Sequence, residues 1–337
     1  MWGMSWIPDF LGDGFYQRVL PLHDDDYGPN RATVVTYRPG ESDPAFAVLA
    51  LHGWNDYFYQ YEFAFEVERM GGRFYALDLR KYGRSHIEGQ MWGYIEDLST
   101  YDEEIHEALD VIYSELGETV PVFLYGHSTG GLTATLWADR HPDALAGLIL
   151  NSPWLELQGQ TALRLASQPL LDTIHRLSPT TVIPTPDNGF YQRLLTGYMT
   201  DDERAAAGLS DDPFMSEGGW HPDPRYRHMP SFPVRAGWLR AIANGHERVA
   251  QGLDIQCPIL VLTSAQTFYS DTWDDRMRRA DTVLNVEQIW KRVPWLGRVT
   301  TLVKVPDAIH DVLLSRRCAR TIAYAYIEGF VRGAAHF

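Results

Sequence analysis

A serine lies between two glycines at residues 126–130, in the order Gly-His-Ser-Thr-Gly. The apolar run from Val122 to Tyr125 has strand character, and a helical stretch from Leu132 to Arg140 comes after the serine. A strand, a sharp turn and a helix in this order present a serine hydroxyl at the strand end, beside the positive end of the helix. So short a pattern also arises by chance, and the flanking elements are what favour chemistry. We therefore predict that Ser128 is a nucleophile.

A serine hydroxyl becomes a good nucleophile only when a base takes its proton. Because parallel strands gather their carboxyl ends on one side of a sheet, the base should follow a late strand. His310 comes shortly after the last predicted strand, residues 299–305, and is our candidate. The remaining candidates are weaker, since they lie inside the serine turn or in a long segment without strands: His127, His221, His228 and His246.

The histidine in turn needs a carboxylate that holds its tautomer, and the expected chain order is serine, acid, histidine. Asp281 is our preferred acid, because it precedes a short apolar stretch and a helix, which suits a loop returning over the sheet edge. Asp274 and Asp275 lie among arginines and are typical of exposed, ion-paired charges. The residues alone leave several carboxylates open: Asp271, Asp274, Asp275, Asp281 and Glu287.

Attack on a carbonyl creates an oxyanion, which two preorganised N–H groups should stabilise. One donor should be the backbone of Thr129, the residue after the nucleophile. The other should come from the loop after an earlier buried strand, and we expect it to be the N–H of Trp54. Gly53 would allow the backbone to approach closely. We also expect His52, Gly53 and His127 to contact the substrate.

Strand-like and helix-like stretches alternate along most of the chain. Strands are predicted at 15–22, 32–37, 45–51, 74–79, 122–125, 145–150, 258–264 and 299–305, with a polar loop at 23–31. Helices are predicted at about 57–70, 101–115, 132–140 and 311–332, with another ending near Trp290. Such alternation implies an α/β fold with parallel strands and right-handed crossovers.

The alternation is interrupted between residues 154 and 253. Short helices are predicted there at 161–177, 189–196 and 236–250, between proline-rich loops. We interpret 154–253 as a mainly helical lid inserted into a core made of 1–153 and 254–337. Most of its aromatic residues would form a small core of their own, and a few would line a pocket.

The composition excludes some classes of protein. The chain has 337 residues, 45% of them apolar and 22% charged, which suits one large α/β domain with an insertion. A net charge of −15 disfavours nucleic acid or an anionic membrane as a partner. Two cysteines make no disulfide framework, and no segment resembles a signal peptide or a membrane span, so we expect a cytoplasmic protein without integral membrane association.

Several motifs together resemble those of the α/β-hydrolase superfamily. They are Leu51 to Trp54, Asp78 to Ser85, Gly126 to Gly131, Asp281 with Val283, and His310, in this order. The branch that they resemble contains monoacylglycerol lipases and lysophospholipases and is called serine aminopeptidase-like. The resemblance covers about residues 30–153 and 254–337.

The resemblance implies an α/β-hydrolase fold and a carboxylic ester hydrolase that needs no cofactor or metal, with Ser128, Asp281 and His310 as its triad. The aromatic lid suggests a small-molecule ester with an apolar acyl chain or an aromatic group. Lys81 stands where the family often has glycine, and we expect this change to affect only a surface loop. The alternatives are an acyltransferase, a small-amide peptidase, or a ligand-binding protein without activity on the same fold.

Overall fold

The computed structural model describes residues 5–40, 43–157, 176, 178–185, 188–196, 201–206 and 220–334. In this part of the chain, nine strands form one sheet in the order β1-β2-β3-β5-β4-β6-β7-β8-β9. The strands are β1 (Ile7–Pro8), β2 (Phe15–Asp25), β3 (Gly28–Tyr37), β4 (Phe46–Leu51), β5 (Gly72–Asp78), β6 (Val122–His127), β7 (Gly147–Asn151), β8 (Ile259–Ser264) and β9 (Thr300–Val305).

Helices cover both faces of the sheet. Those of the described residues are α1 (Tyr61–Arg69), α2 (Asp102–Leu116), α3 (Thr129–Arg140), α4 (Phe190–Thr196), α5 (Asp201–Ala206), α6 (Ala236–Ala250), α7 (Val286–Arg292) and α8 (Arg317–Ala334). Apolar side chains of α2, α3, α6 and α7 share one core cluster with one face of the sheet. Those of α1 and α8 share a second cluster with the other face.

The sheet is parallel from β5 through β9 and antiparallel at its β1–β3 edge. Every residue of the central strands β4 to β8 is buried, which explains their continuous apolar runs. The parallel register pairs Leu51 with Gly126 and His127 with Asn151, so the strands end together on one side. The predicted α/β fold class is confirmed.

The first hairpin is longer than predicted, because most of the predicted loop 23–31 is strand. Asp25 pairs with Gly28, and only Asp26 and Tyr27 form the turn. The Asp25 carboxylate accepts the N–H of Tyr27, and Gly28 has a φ of 118°, which glycine adopts without strain. The polar residues fit this hairpin end because most of them are exposed.

Two helices begin later than predicted, because side chains take up the backbone groups ahead of them. Helix α1 starts at Tyr61, since the N–H of Phe58 donates to Asp78 instead of entering a helix. Helix α8 starts at Arg317, after a short 3₁₀ turn in which Asp311 accepts the N–H of Leu313. Local hydrogen bonds of this kind compete with helix formation.

Two predicted helices of the segment 154–253 are observed. Helix α6 has the predicted bounds, and α4 agrees with the predicted helix within one residue. Helix α6 packs on α3, where Gly245 lies against Leu98 and Leu136, so it contributes to the main core. The predicted helix 161–177 lies outside the described residues except for Arg176.

The expectation for Lys81 is wrong, because this residue is buried. Only 1% of it is exposed, its φ is 65°, and its ammonium pairs with Asp25. The ammonium also lies over the rings of Tyr27 and Tyr94, 5.4 and 5.9 Å from their centroids. Lys81 therefore fastens the first hairpin to the loop after β5.

Candidate active site

Ser128 is held at the turn between β6 and α3 in a strained conformation, with φ 53° and ψ −115°. Added Cβ atoms at the flanking glycines would collide with backbone: at Gly126 with the Gly130 oxygen at 2.5 Å, and at Gly130 with the His52 oxygen. The N–H of Ser128 donates to Asn151 O on the neighbouring strand, at 3.1 Å. These contacts fix the serine at the sheet edge.

Ser128, His310 and Asp281 form a hydrogen-bonded chain. His310 Nε2 lies 3.0 Å from Ser128 Oγ, and His310 Nδ1 lies 2.9 Å from Asp281 Oδ2. A carboxylate only accepts, so Nδ1 carries the imidazole proton and Nε2 accepts the serine proton. All three residues are buried. The structure therefore brings the three predicted residues into the geometry in which a base can activate a serine.

Asp281 is fixed by the two backbone N–H groups just after it in the chain. Its Oδ1 accepts the N–H groups of Val283 and Leu284 at 2.8 and 2.7 Å, which leaves Oδ2 for the histidine. The other aspartate candidates lie elsewhere: Asp274 pairs with Arg276, Asp275 pairs with Arg278, and Asp271 is exposed. Of the carboxylates left open by the sequence, Asp281 is the one that bonds His310.

Trp54 and Thr129, the predicted donors to an oxyanion, lie close to Ser128. A Cβ atom at Gly53 would lie 3.2 Å from Ser128 Cβ, so the loop after β4 passes close to the serine. Trp54 is the next residue of that loop, and Thr129 is the first residue of α3; both line a cavity that opens over Ser128. Within the described ranges of the chain, no hydrogen-bond partner takes up the N–H of Trp54 or Thr129. The N–H of Thr129 lies at a helix start, where unpaired N–H groups suit a negative oxygen.

His52 is buried and lies outside the lining of the cavity over Ser128. The N–H of Leu79 donates to its Nε2 at 3.1 Å, so its Nδ1 carries the proton and donates to Gly53 O at 2.8 Å. Burial lowers the pKa of His52, in keeping with a neutral ring. In this position His52 joins the loop after β4 to the loop after β5. The predicted contact with the substrate stays a prediction.

His127 and Gly53 line the cavity, as the predicted substrate contacts would require. The Nδ1 of His127 donates to Asn151 O at 3.1 Å, and its ring centroid lies 4.9 Å from that of His310. Burial lowers the pKa of His127 to about 4. The ring is therefore neutral near pH 7, and it adds no positive charge beside His310.

A cavity of about 990 Å³ opens over Ser128. One part of its lining is aromatic and includes Trp54, Trp154 and Trp238, and the rings of Trp54 and Trp238 are 3.9 Å apart between centroids. Another part is polar and includes Asp56 and Arg227. The cavity can therefore take a ligand with both apolar and polar parts.

The sequence did not indicate the buried pair of Asp56 and Arg227, whose Oδ1 and Nη1 atoms are 2.9 Å apart. Burial raises the pKa of Asp56 to about 7, against the pull of Arg227. Asp56 comes soon after Gly53 and Trp54 in the sequence, which is only a weak indication that it belongs to the site. Arg227 lies in a proline-rich segment whose pattern indicates no partner.

Asn151 is another residue that the sequence did not single out. Its Nδ2 donates to Asp311 Oδ1 at 2.7 Å, and its Oδ1 accepts the N–H of Val312 at 3.1 Å. Asn151 ends β7 and also accepts from Ser128 and His127 through its backbone oxygen. It therefore joins the serine turn to the loop that carries His310.

The mostly parallel sheet and the strand–serine–helix turn define an α/β-hydrolase fold. The chain belongs to the family described as serine aminopeptidase, S33, whose model matches residues 42–272. The predicted resemblance to the serine aminopeptidase-like branch is confirmed.

Curated relatives match over part of the chain. Phospholipase YtpA of Bacillus subtilis is 33% identical over 132 residues, which are 38% of this chain and 48% of that protein. Human monoglyceride lipase is 31% identical over 114 residues, which are 33% of this chain and 35% of that protein. The matched part of the chain therefore spans less than half the length of these relatives.

Solved structures match over nearly the whole chain. A soluble variant of monoglyceride lipase from Saccharomyces cerevisiae superposes with a TM-score of 0.65 at 16% identity, over 94% of this chain and 95% of that one. A carboxyl esterase from Bacillus coagulans gives a TM-score of 0.61 at 17% identity, over 95% and 99%. Likeness at such identity shows a shared fold.

Among the described residues there is neither a membrane-spanning helix nor a cluster of metal ligands. No helix in this part of the chain has the length and apolar character needed to cross a bilayer. No group of three or more histidine, cysteine, aspartate or glutamate side chains in the same ranges is arranged to hold a metal ion.

Proposed function

We propose that this protein is a carboxylic ester hydrolase that acts through Ser128, His310 and Asp281. The observation that carries the proposal is the 3.0 Å approach of Ser128 Oγ to His310 Nε2, with His310 Nδ1 held by Asp281. It is supported by the family, and by relatives and fold neighbours named as phospholipase, monoglyceride lipase and carboxyl esterase.

In the first half-reaction, Ser128 Oγ attacks the ester carbonyl carbon while its proton passes to His310 Nε2. Asp281 stabilises the imidazolium that forms. The carbonyl oxygen becomes negative and accepts from the N–H groups of Trp54 and Thr129. The tetrahedral adduct then collapses, the alcohol leaves with the proton from His310, and an acyl-Ser128 ester remains.

In the second half-reaction, a water replaces the alcohol. His310 Nε2 takes one proton from this water, and the water oxygen attacks the acyl carbon. Collapse of the second adduct returns the proton to Ser128 Oγ and releases the carboxylic acid. The same N–H pair stabilises both adducts.

The cavity and the names of the relatives suggest the substrate class. We propose an ester with an apolar acyl chain, of the monoacylglycerol or lysophospholipid kind. The aromatic lining around Trp54, Trp154 and Trp238 would bury the acyl chain. We also propose that residues 154–253 act as a lid, because cavity-lining residues come from both 182–192 and 227–239.

The first test is to label the protein with a fluorophosphonate and to identify the modified peptide by mass spectrometry. The adduct should form on Ser128. Ser128→Ala should abolish labelling and lower ester hydrolysis by about 10⁴-fold or more, because the nucleophile is lost. His310→Ala should greatly slow labelling.

Ser152→Ala is the matched control, since Ser152 is also buried, lies just after the neighbouring strand and has a positive φ of 43°. It should label and hydrolyse as the unaltered protein does. A folded protein that neither labels nor hydrolyses any ester would contradict the proposal and favour a ligand-binding protein.

A substrate panel separates the remaining alternatives. Ester hydrolysis should rise from acetate toward long acyl chains, and a flat profile would contradict the proposed acyl site. Adding glycerol tests for acyl transfer, which would yield a new ester in place of free acid. An aminoacyl amide tests for peptidase activity, which we expect to be slower than ester cleavage.

A further inference from the structure

The residue directly after Trp54 is fastened to a distant part of the chain. Asn55 Nδ2 donates to His228 O at 2.9 Å, and the N–H of His228 donates to Asn55 Oδ1 at 3.1 Å. Both polar atoms of one side chain thus bond the backbone of one residue. Such reciprocal pairing fixes orientation more firmly than a single hydrogen bond.

The neighbouring pair of residues adds a second connection. Arg227 Nη1 donates to the backbone oxygen of Asn55 at 3.2 Å and pairs with Asp56 Oδ1 at 2.9 Å. Arg227 Nε donates to Gln192 at 3.1 Å, which joins α4 to the same group. We call Asn55, Asp56, Arg227 and His228 the clamp. The side chains of Asp56 and Arg227 are 5 and 7% exposed, so water does little to weaken the interaction between them.

The backbone at the clamp has little freedom to relax. Asn55 has a φ of 54°, in the left-handed region, which asparagine tolerates better than most residues. The Trp54 side chain packs against Phe232 and Trp238, with centroids 4.5 and 3.9 Å away. Trp54 is therefore held through its own side chain and through Asn55, in both cases by residues 227–238.

We infer that Asn55 is a positioning residue, which holds the Trp54 N–H beside Ser128 by fastening its loop to Arg227 and His228. This inference rests on the proposed function, because the N–H matters only if an oxyanion forms. It assigns residues 227–228 a part in the chemical step, although neither need touch the reacting atoms. A shift of about 1 Å in a positioned group can lower a rate about 10²-fold.

Asn55→Gly is the variant of choice, because glycine keeps a positive φ without strain and removes both side-chain hydrogen bonds. We expect kcat to fall at least about tenfold, toward the 10²- to 10³-fold loss that removal of an oxyanion donor causes. KM should stay within about twofold, since the rest of the cavity lining is unchanged. Asp56→Asn should lower kcat in the same direction, by weakening the hold on Arg227.

Tyr57→Phe is the matched control. Tyr57 OH accepts the N–H of Asp223 at 2.7 Å, so it joins the same two stretches of chain, but Tyr57 lies outside the cavity lining. This variant should keep kcat and KM near those of the unaltered protein. Thermal midpoints of all variants should be measured, so that rates are compared below the lowest midpoint.

The second readout is the affinity of a trifluoromethyl ketone with an apolar tail, which forms a tetrahedral adduct with an activated serine. Its affinity should fall in Asn55→Gly by the same factor as kcat, because both depend on the oxyanion donors. Three outcomes would overturn the inference but leave the proposed function in place. They are an unchanged kcat in Asn55→Gly, a change in Asn55→Gly that is confined to KM, and a fall of kcat in Tyr57→Phe equal to that in Asn55→Gly. An unaltered protein that is folded but inactive on esters would overturn the proposed function and this inference with it.

Discussion

At the scale of single residues, the serine turn depends on the absence of side chains around it. Ser128 adopts a backbone conformation that few residues tolerate, and its two glycine neighbours lie against backbone oxygens. Backbone cannot move aside as a flexible side chain can. The strain at Ser128 is therefore maintained by the close approach of β4, β6 and α3.

Gly130→Ala should destabilise the protein by about 2 kcal/mol or more, because the new Cβ would overlap the backbone oxygen of His52. The measurement is the free energy of unfolding in urea, together with ester hydrolysis, which should fall as well. Gly329→Ala in α8 is the control: nothing lies within 4 Å of its Cβ position. That change should be neutral or stabilise by about 0.5–1 kcal/mol, and equal losses at both positions would contradict the argument.

Much of the site could be predicted from the sequence, because its residues occur in a fixed chain order next to recognisable strand ends. Ser128 and His310 carried such signals directly. Asp281 was preferred because a short apolar stretch and a helix come after it, and the N–H groups of residues 283 and 284 explain why that pattern suits a fixed carboxylate. Arg227 and Asn55 could not be found, since their pairing depends on how distant loops meet.

At the scale of elements, the loop after β5 is fixed to α2 by a buried ion pair. Arg80 donates to the Glu104 carboxylate through Nε and Nη2, and both side chains are almost completely buried. The Nη2 of Arg80 also donates to Glu103, which is partly exposed. Glu104 is therefore the buried partner of Arg80. Without the Glu104 carboxylate, the arginine charge would lose its buried counter-charge.

Glu104→Gln should cost about 3 kcal/mol in the free energy of unfolding, because the buried Arg80 then keeps only the partly exposed Glu103 as a charged partner. Glu103→Gln is the control on the same arginine and should cost less than about 1 kcal/mol, as expected for a partly solvated pair. Urea unfolding of both variants gives the comparison. A larger loss from Glu103→Gln would show that burial does not decide the strength of these pairs.

The strands and helices were predictable where burial alone decides them. The apolar runs of β4 to β8 gave bounds within two residues of the observed strands. The starts of α1 and α8 were missed, because hydrogen bonds from Asp78 and Asp311 hold the preceding backbone out of the helix. The hairpin of β2 and β3 was predicted too short, because its polar end is exposed and lacks an apolar pattern.

At the scale of the whole molecule, we expect buried histidines to lower the stability of the fold in acid. His246 is buried in α6, where its Nε2 donates to Trp154 O at 2.8 Å and its Nδ1 has no hydrogen-bond partner among the described residues. Burial lowers the pKa of His246 to about 4, as it does for His127. An unfolded histidine takes up a proton near pH 6.5, so acid favours the unfolded chain.

His246→Gln should flatten the fall of stability between pH about 6.5 and about 4, because the unfolded state of the variant no longer binds that proton. The neutral His246 contributes fully to the free energy of unfolding above pH 6.5. This contribution is lost as pH falls to about 4, where the loss amounts to about 3 kcal/mol. The measurement is the difference in unfolding free energy between variant and unaltered protein across this range. An unchanged slope in His246→Gln would contradict the assignment.

The long stretch of chain between β7 and β8 also decides when the site can form during folding. Ser128 precedes this stretch, whereas Asp281 and His310 come after it, and the two parts meet when Leu148 pairs with Ile259. Closing a loop of roughly a hundred residues costs only slightly more entropy than closing one half as long. Loop-closure entropy therefore sets only a weak limit on the length of the intervening segment. The contact between Ser128 and His310 can form only after one of the most distant pairings in the sheet. A reactive serine would then report that the two parts of the sheet have joined.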